Sequence, residues 1–97
     1  MVEKLNKTER AEALPKLQAN VWLHDPYRDS LTKEFKFPGF VQAFGWMATC
    51  AIMAEKINHQ PEWFNVYNRV TVTLTTHDAA GLTQLDVDLA QAMDSYL

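Results

Sequence analysis

The chain has 97 residues, of which 47% are hydrophobic and 11% aromatic, and its formal net charge is −3. This length predicts one domain spanning residues 1–97, and the small negative charge excludes the general electrostatic attraction that nucleic acids and anionic membranes provide. We therefore expect neither of these as a direct partner. Cys50 is the only cysteine, which excludes an intrachain disulfide and favours a reducing compartment.

The first predicted element is a helix from Thr8 to about Asn20, with Thr8 as its N-cap. Pro15 lies inside it, and an interior proline removes a hydrogen bond, so we expect a kink or two short helices. The residues at helical spacing that should face the core are Leu14, Leu17 and Val21.

A hairpin should follow this helix. Val21–Leu23 predicts a short strand, His24–Ser30 a turn, and Leu31–Phe37 a second strand in which apolar and charged residues alternate. Lys33 breaks that alternation, because it falls on the same face as Leu31.

A long helix is predicted to follow the break at Pro38-Gly39 and to run to about Asn58. No charged residue occurs between Phe37 and Ala54, but the single proline, the two glycines and the polar residues of this segment favour a core helix over a membrane span. Cys50 is expected to be a small buried apolar residue of this helix. The predicted core-facing stripe consists of Phe40, Phe44, Met47, Ala51 and Ala54.

Two further strands are predicted at Trp63–Tyr67 and Arg69–Thr76, joined by a tight turn near Tyr67-Asn68. In the second strand valine and leucine alternate with threonine, so one face should pack on the core while the other stays polar. His77 shares the parity of the threonines, which predicts that it emerges on the polar side.

Gly81 should turn the chain into a last helix, for which Thr83 and Asp86 are spaced as a capping box. Its predicted apolar stripe is Leu82, Leu85, Leu89, Met93 and Tyr96. The element order is then helix, two strands, helix, two strands, helix. This order predicts an α+β fold with a four-stranded antiparallel sheet and helices packed on one face.

Two histidines, His59 and His77, lie at junctions between predicted elements, where side chains are often presented to ligands. A histidine pair can supply acid and base near neutral pH, although two unrelated surface histidines have the same spacing. Glu55 precedes His59 by one helical turn and is either its support or a solvated charge. The histidines, His24 included, lack the spacing of metal ligands, so no metal site is predicted.

The residues around these histidines carry a family resemblance. The run from Glu55 to Val70, containing His59-Gln60-Pro61-Glu62-Trp63, and the run from Thr76 to Asp86 closely resemble the pterin-4a-carbinolamine dehydratases. The likeness extends upstream to Leu14-Pro15 and covers nearly the whole chain. A shared string of this length is specific.

The resemblance implies an α+β fold that assembles into homodimers or homotetramers, and strand edges in so small a sheet would need such protection. It also implies loss of water from 4a-hydroxytetrahydrobiopterin, in the recycling of tetrahydrobiopterin after aromatic amino acid hydroxylation. No metal or organic cofactor is implied, because proton transfer carries the elimination. An aromatic amino acid hydroxylase or a transcription factor becomes an expected partner, and the cytoplasm the expected location, with the nucleus left open.

The resemblance also assigns individual residues. His59 and His77 match the family's acid–base groups, whereas Gln60 replaces a second adjacent histidine and can form hydrogen bonds but cannot exchange a proton near pH 7. Two alternatives stay open: a non-enzymatic dimerisation or coactivator module, and a weakly active pterin-binding protein. The residues expected to bind or support the substrate are Gln60, Pro61, Trp63, Glu55 and Asp86.

Overall fold

A computed structural model describes residues 2–97. Three helices and four strands occur in the predicted order: α1 (Lys7–Ala19), β1 (Leu23–Asp25), β2 (Ser30–Lys36), α2 (Phe40–Lys56), β3 (Glu62–Val66), β4 (Arg69–Leu74) and α3 (Gln84–Ser95), with a 3₁₀ turn at His77–Ala79 before α3. All strand pairs are antiparallel, and the strands are ordered β1-β2-β4-β3. The predicted α+β fold class is confirmed.

Strand β4 lies in the interior of the sheet and follows the predicted alternation. Val70, Val72 and Leu74 are buried, whereas Thr71 and Thr73 are half-buried on the other face. The tight turn before β4 is also confirmed, and Tyr67 adopts a left-handed conformation there with φ of 52°. The alternation therefore separates a core face from a polar face, as a period of two requires.

The predicted stripe of α2 is wrong for its aromatic residues. Phe40 and Phe44 are 48% and 53% exposed, and Ala51 is exposed as well, whereas Ala54 is buried as predicted. The other buried residues of the helix, Ala43, Trp46 and Cys50, lie outside the predicted stripe. The indole of Trp46 decides the orientation: its ring centroid lies 4.3 Å from that of Phe35, and its Nε1 donates to the Met93 carbonyl at 3.0 Å. No helix among residues 2–97 is long and apolar enough to cross a membrane.

The first helix and strand differ in detail from the prediction. Asn6, rather than Thr8, caps α1 through a capping box with Glu9, and the helix continues through Pro15 as one element. Val21 was expected in the core but is 66% exposed, because a left-handed backbone (φ 72°) turns the chain there and places Trp22 inside. Strand β1 therefore begins at Leu23, the last residue of the predicted strand, and continues to Asp25.

Lys33, which broke the alternation of β2, is accommodated by a carboxylate on α3. Its Nζ lies 2.7 Å from Oδ1 of Asp94 and over the ring of Phe35, and Asp94 also accepts from Nε1 of Trp22 at 3.0 Å. An inward-facing lysine is tolerated because its stem covers apolar surface while its charge is paired. The last helix is thereby tied to the sheet.

Asp29 connects three parts of the chain from the loop between β1 and β2. Its carboxylate accepts both Nη atoms of Arg10 at 2.8 Å, contacts Nε2 of His24 at 2.7 Å, and accepts from the Leu82 amide at 3.0 Å. Only 14% of the Asp29 side chain is exposed, and these contacts, the Arg10 bond first, hold its pKa well below the usual range. Asp29 therefore fixes the segment that leads into α3.

We expect Asp29→Asn to lower the free energy of unfolding by about 2 kcal/mol at pH 7, between the values of exposed and buried ion pairs. Because the folded pKa of Asp29 lies below the unfolded value of about 3.9, its contribution is complete above that pH and is lost as the pH falls further. Urea unfolding at pH 7 and pH 3 measures both effects.

The matched control is Glu12→Gln, which removes the exposed Lys16–Glu12 pair of α1 and should leave the unfolding midpoint unchanged. An Asp29→Asn variant as stable as the wild type at pH 7 would contradict this account of the loop.

Candidate active site

His59 lies just after the end of α2, in the connection to β3. The helix ends at Lys56, and Asn58 then adopts a left-handed conformation (φ 52°) that reverses the direction of the chain. The His59 amide donates to the Ala54 carbonyl at 2.9 Å, and Pro61 prevents further helix. His59 is consequently folded back toward the body of the protein and is only 8% exposed.

The imidazole of His59 contacts the buried carboxylate of Asp86, with 2.6 Å between Nε2 and Oδ1. Since an ionised carboxylate only accepts hydrogen bonds, Nε2 carries the proton of this contact. Within residues 2–97, Nδ1 has no hydrogen-bond partner and no buried side-chain nitrogen or oxygen is unpartnered, so Nδ1 is accessible from outside. Asp86 thus fixes both the tautomer and the orientation of the ring.

Asp86 also holds the start of α3. Its Oδ2 accepts from the Thr83 amide at 2.9 Å and from the Thr76 hydroxyl at 2.8 Å, and the Thr83 hydroxyl contacts that of Thr76 at 2.7 Å. The predicted capping box is confirmed. The Asp86 carboxylate is completely buried. It accepts three hydrogen bonds, of which the capping box requires only the one from the Thr83 amide.

His77 begins the 3₁₀ turn after β4, and its side chain is 73% exposed. Its Nε2 lies 2.8 Å from Oε2 of Glu62. The same carboxylate accepts from both Nη atoms of Arg28, from Nη1 on Oε1 at 2.9 Å and from Nη2 on Oε2. These contacts, with Arg28 the larger cause, lower the pKa of Glu62 to about 2. Glu62 therefore stays ionised at neutral pH and accepts from both partners.

Sequence reasoning missed Glu62 and Arg28 as members of this site. One signal could have indicated Glu62: it alternates with Trp63, which pairs with Val72 on the core face, so Glu62 must share the polar face on which His77 was predicted. Nothing local indicates Arg28, because it lies 34 residues before Glu62.

Both histidines line one cleft of about 390 Å³ at the end of the sheet. The cleft is open to solvent, and its walls come from the α2–β3 connection and from the segment after β4. Its lining residues are Asn58, His59, Gln60, Pro61, Glu62, Thr75, Thr76, His77 and Asp78. The structure therefore brings the two predicted acid–base residues, Gln60 and Pro61 together.

Two other predicted site residues lie beside this cleft rather than in it. Glu55 and Trp63 line a smaller hollow of about 220 Å³, which shares Gln60 and Pro61 with the cleft. Trp63 also packs against the core. Glu55 is exposed and forms no side-chain hydrogen bond with any residue of the 2–97 segment, so the carboxylate that supports His59 is that of Asp86.

The remaining reactive side chains take structural positions. His24 contacts Asp29, and residues 2–97 contain no group of three or more histidine, cysteine, aspartate or glutamate side chains arranged to hold a metal ion. Cys50 is completely buried, as predicted, and burial raises the pKa of its thiol to about 12. A thiol of this kind is a poor nucleophile at neutral pH.

The fold and the cleft together define a small α+β protein with two carboxylate-supported histidines facing one site. Comparison with known proteins identifies the class: residues 3–96 match the family model described as Pterin 4 alpha carbinolamine dehydratase. The chain belongs to the pterin-4a-carbinolamine dehydratase family.

Relatives similar over nearly their whole length support this assignment. Proteins named "Putative pterin-4-alpha-carbinolamine dehydratase" from Jannaschia sp. and Roseobacter denitrificans are 52% and 53% identical to it, over 97% and 98% of this chain and 96% and 97% of theirs. The crystal structure of a transcriptional coactivator/pterin dehydratase from Brucella melitensis superposes with a TM-score of 0.87 at 46% identity, covering 97% of this chain and 98% of that one.

We expect Asp86→Asn to lower the free energy of unfolding by about 2 kcal/mol, because an amide cannot accept all three hydrogen bonds and leaves a buried donor unpaired. Chemical denaturation at pH 7 measures the loss. Asp88→Asn is the matched control on the same helix: Asp88 is exposed and, within residues 2–97, its side chain bonds only to Gln84, so its substitution should have little effect. Equal stability of the two variants would contradict the anchoring function of Asp86.

Proposed function

We propose that this protein is a 4a-hydroxytetrahydrobiopterin dehydratase that gives quinonoid dihydrobiopterin in the recycling of tetrahydrobiopterin after aromatic amino acid hydroxylation. The observation that carries the proposal is the cleft itself, where His59 and His77 each have Nε2 on a carboxylate. The family membership of the chain supports the reaction class. A cytoplasmic location is part of the same proposal.

The elimination needs two proton transfers. The bond between C4a and its hydroxyl oxygen breaks as an acid protonates the departing group, and the proton on N5 leaves to a base as the C4a–N5 double bond forms. Since the Nε2 atoms of His59 and His77 are held by Asp86 and Glu62, their Nδ1 atoms are the nitrogens available for these transfers. The histidine that acts as base accepts the N5 proton on a bare Nδ1, whereas the one that acts as acid is an imidazolium, which donates its Nδ1 proton and keeps the proton on Nε2. Such a pair meets the requirement for general acid–base catalysis near neutral pH.

The same proposal assigns substrate binding to the border between the cleft and the smaller hollow. Gln60 and Pro61 line both, and Gln60 is exposed with its amide available to a pterin ring. Trp63 and Glu55 line the hollow beyond them, where an aromatic wall and a carboxylate suit a flat heterocycle rich in N–H donors. Asp86 contributes indirectly, through His59.

We further propose that the protein assembles with copies of itself through the exposed face of α2. Phe40 and Phe44 contact each other with 5.5 Å between ring centroids, and Val41 beside them is 78% exposed. Together with Gly45 they form an apolar patch. Contiguous exposed apolar surface of this kind is typical of interaction sites.

A second candidate function is supported by one observation. The similar Brucella melitensis protein is named a transcriptional coactivator as well as a pterin dehydratase. A coactivator would use a protein-binding surface instead of the cleft, with a transcription factor as its partner. Substitutions in the α2 patch that abolish binding of the transcription factor, with the cleft unaltered, would distinguish the coactivator from the enzyme.

We expect His77→Ala and His59→Ala to lower kcat for dehydration of freshly generated 4a-hydroxytetrahydropterin by about 10²–10⁴-fold, the usual contribution of a positioned acid or base. Stopped-flow absorbance against the spontaneous reaction measures the rates, and circular dichroism checks the fold. Gln60→His should alter KM more than kcat, because position 60 is assigned to binding. A wild-type rate equal to the spontaneous one would refute the proposed enzyme.

For the assembly, we expect the wild type to sediment as a dimer or tetramer at micromolar concentration and Phe44→Glu to shift it toward smaller species, since a charge at a buried apolar contact is costly. Lys56→Glu, at the far end of the same helix, is the control. A monomeric wild type would contradict this part of the proposal.

A further inference from the structure

Glu62 is the one side chain through which His77 is connected to the rest of the described protein. His77 lies on a turn of only three residues, and its ring forms no other side-chain hydrogen bond within residues 2–97. An exposed imidazole without such a partner would rotate between rotamers and exchange tautomers. The contact of Nε2 with Glu62 is therefore what can hold the ring in one orientation.

Glu62 is itself held from the other side by Arg28. The guanidinium uses both Nη atoms on the two carboxylate oxygens, a planar arrangement that sets the direction of the carboxylate as well as its charge. Because the pKa of Glu62 is lowered to about 2, the group remains an acceptor throughout the neutral range.

The loop that carries Arg28 is fixed at both ends. Oδ1 of Asp25 accepts from the Tyr27 amide at 2.9 Å, a local turn that precedes Arg28. Asp29, the next residue, is bound to Arg10 and to the Leu82 amide. Arg28 thus projects from a braced segment.

We propose that Glu62 and Arg28 are positioning residues for His77: Arg28 orients the Glu62 carboxylate, which holds Nε2–H so that Nδ1 faces the substrate. This inference rests on the proposed dehydratase function and deepens it. The arrangement parallels that of His59, where Asp86 holds Nε2 in the same way. Both histidines would then present the same nitrogen to the reaction, one held by the core and the other by a surface network.

The decisive variant is Glu62→Gln. With Arg28 still bound to the amide oxygen, the amide N–H₂ would turn toward His77 and bind a bare Nε2, which moves the proton to Nδ1. In this tautomer Nδ1 cannot accept the N5 proton, and donation from Nδ1 would leave an imidazolate, so the ring is impaired both as a base and as an acid. We expect kcat to fall about tenfold or more while KM changes by less than about threefold, the signature of a transition-state interaction. Glu62→Asp keeps the charge and should recover part of the rate.

Arg28→Met should lower kcat in the same direction by a smaller factor, and should add nothing further in the Glu62→Gln background, since Arg28 acts through Glu62. Glu34→Gln is the matched control, because Glu34 is an exposed glutamate of strand β2 that forms no hydrogen bond with either histidine. Its kcat and KM should equal those of the wild type.

A second readout does not depend on activity. Nitrogen-15 chemical shifts of His77 in the folded protein report the tautomer, which should be Nε2–H in the wild type and shift toward Nδ1–H in Glu62→Gln. Unchanged tautomer populations, or an unchanged kcat, would overturn the positioning proposal. A wild type without dehydratase activity would instead overturn the proposed function, and with it the catalytic meaning of this network, even if the tautomer responds.

Discussion

The structure depends on one buried carboxylate. Burying an ionised group is costly unless its hydrogen bonds are satisfied, and Asp86 meets this condition with donors from Thr83, Thr76 and His59. These donors belong to the start of α3, the exit from β4 and the end of α2. Three elements can therefore satisfy the carboxylate only when they come together in one arrangement, and that arrangement also orients the imidazole of His59. The contacts that stabilise the fold around Asp86 therefore also position His59.

The two histidines are supported by opposite means. His59 is only 8% exposed and the Asp86 carboxylate that it contacts is completely buried, so the ring is held within the packed interior. His77 is largely exposed and depends on Glu62 and Arg28, which remain in contact with solvent. Exposed ion pairs contribute little to stability, so stabilisation of the fold does not account for the contacts among His77, Glu62 and Arg28. A site built this way combines one histidine held within the core with one that a ligand can reach without any unfolding.

Local patterns predicted the elements well and their mutual orientation less well. The threonine alternation of β4 identified both faces of the sheet, because a period of two leaves no choice. Helix α2 is apolar on nearly all sides, so several stripes at helical spacing compete, and the contact of Trp46 with Phe35 selects one that periodicity cannot single out. The site shows the same division. His59 and His77 were recognised from their junctions and from the family resemblance, whereas Arg28 reaches the site only through the register of distant strands.

The glutamine at position 60 can be understood from these contacts. Each histidine already has its own carboxylate on Nε2, so neither requires the neighbouring side chain for its orientation. Gln60 itself is exposed at the border of the cleft and the smaller hollow, away from Asp86. A residue there can contact a bound ring and can donate or accept hydrogen bonds, both of which glutamine does. Glutamine in place of a histidine at this position therefore changes the surface of the cleft and leaves both carboxylate-supported histidines in place.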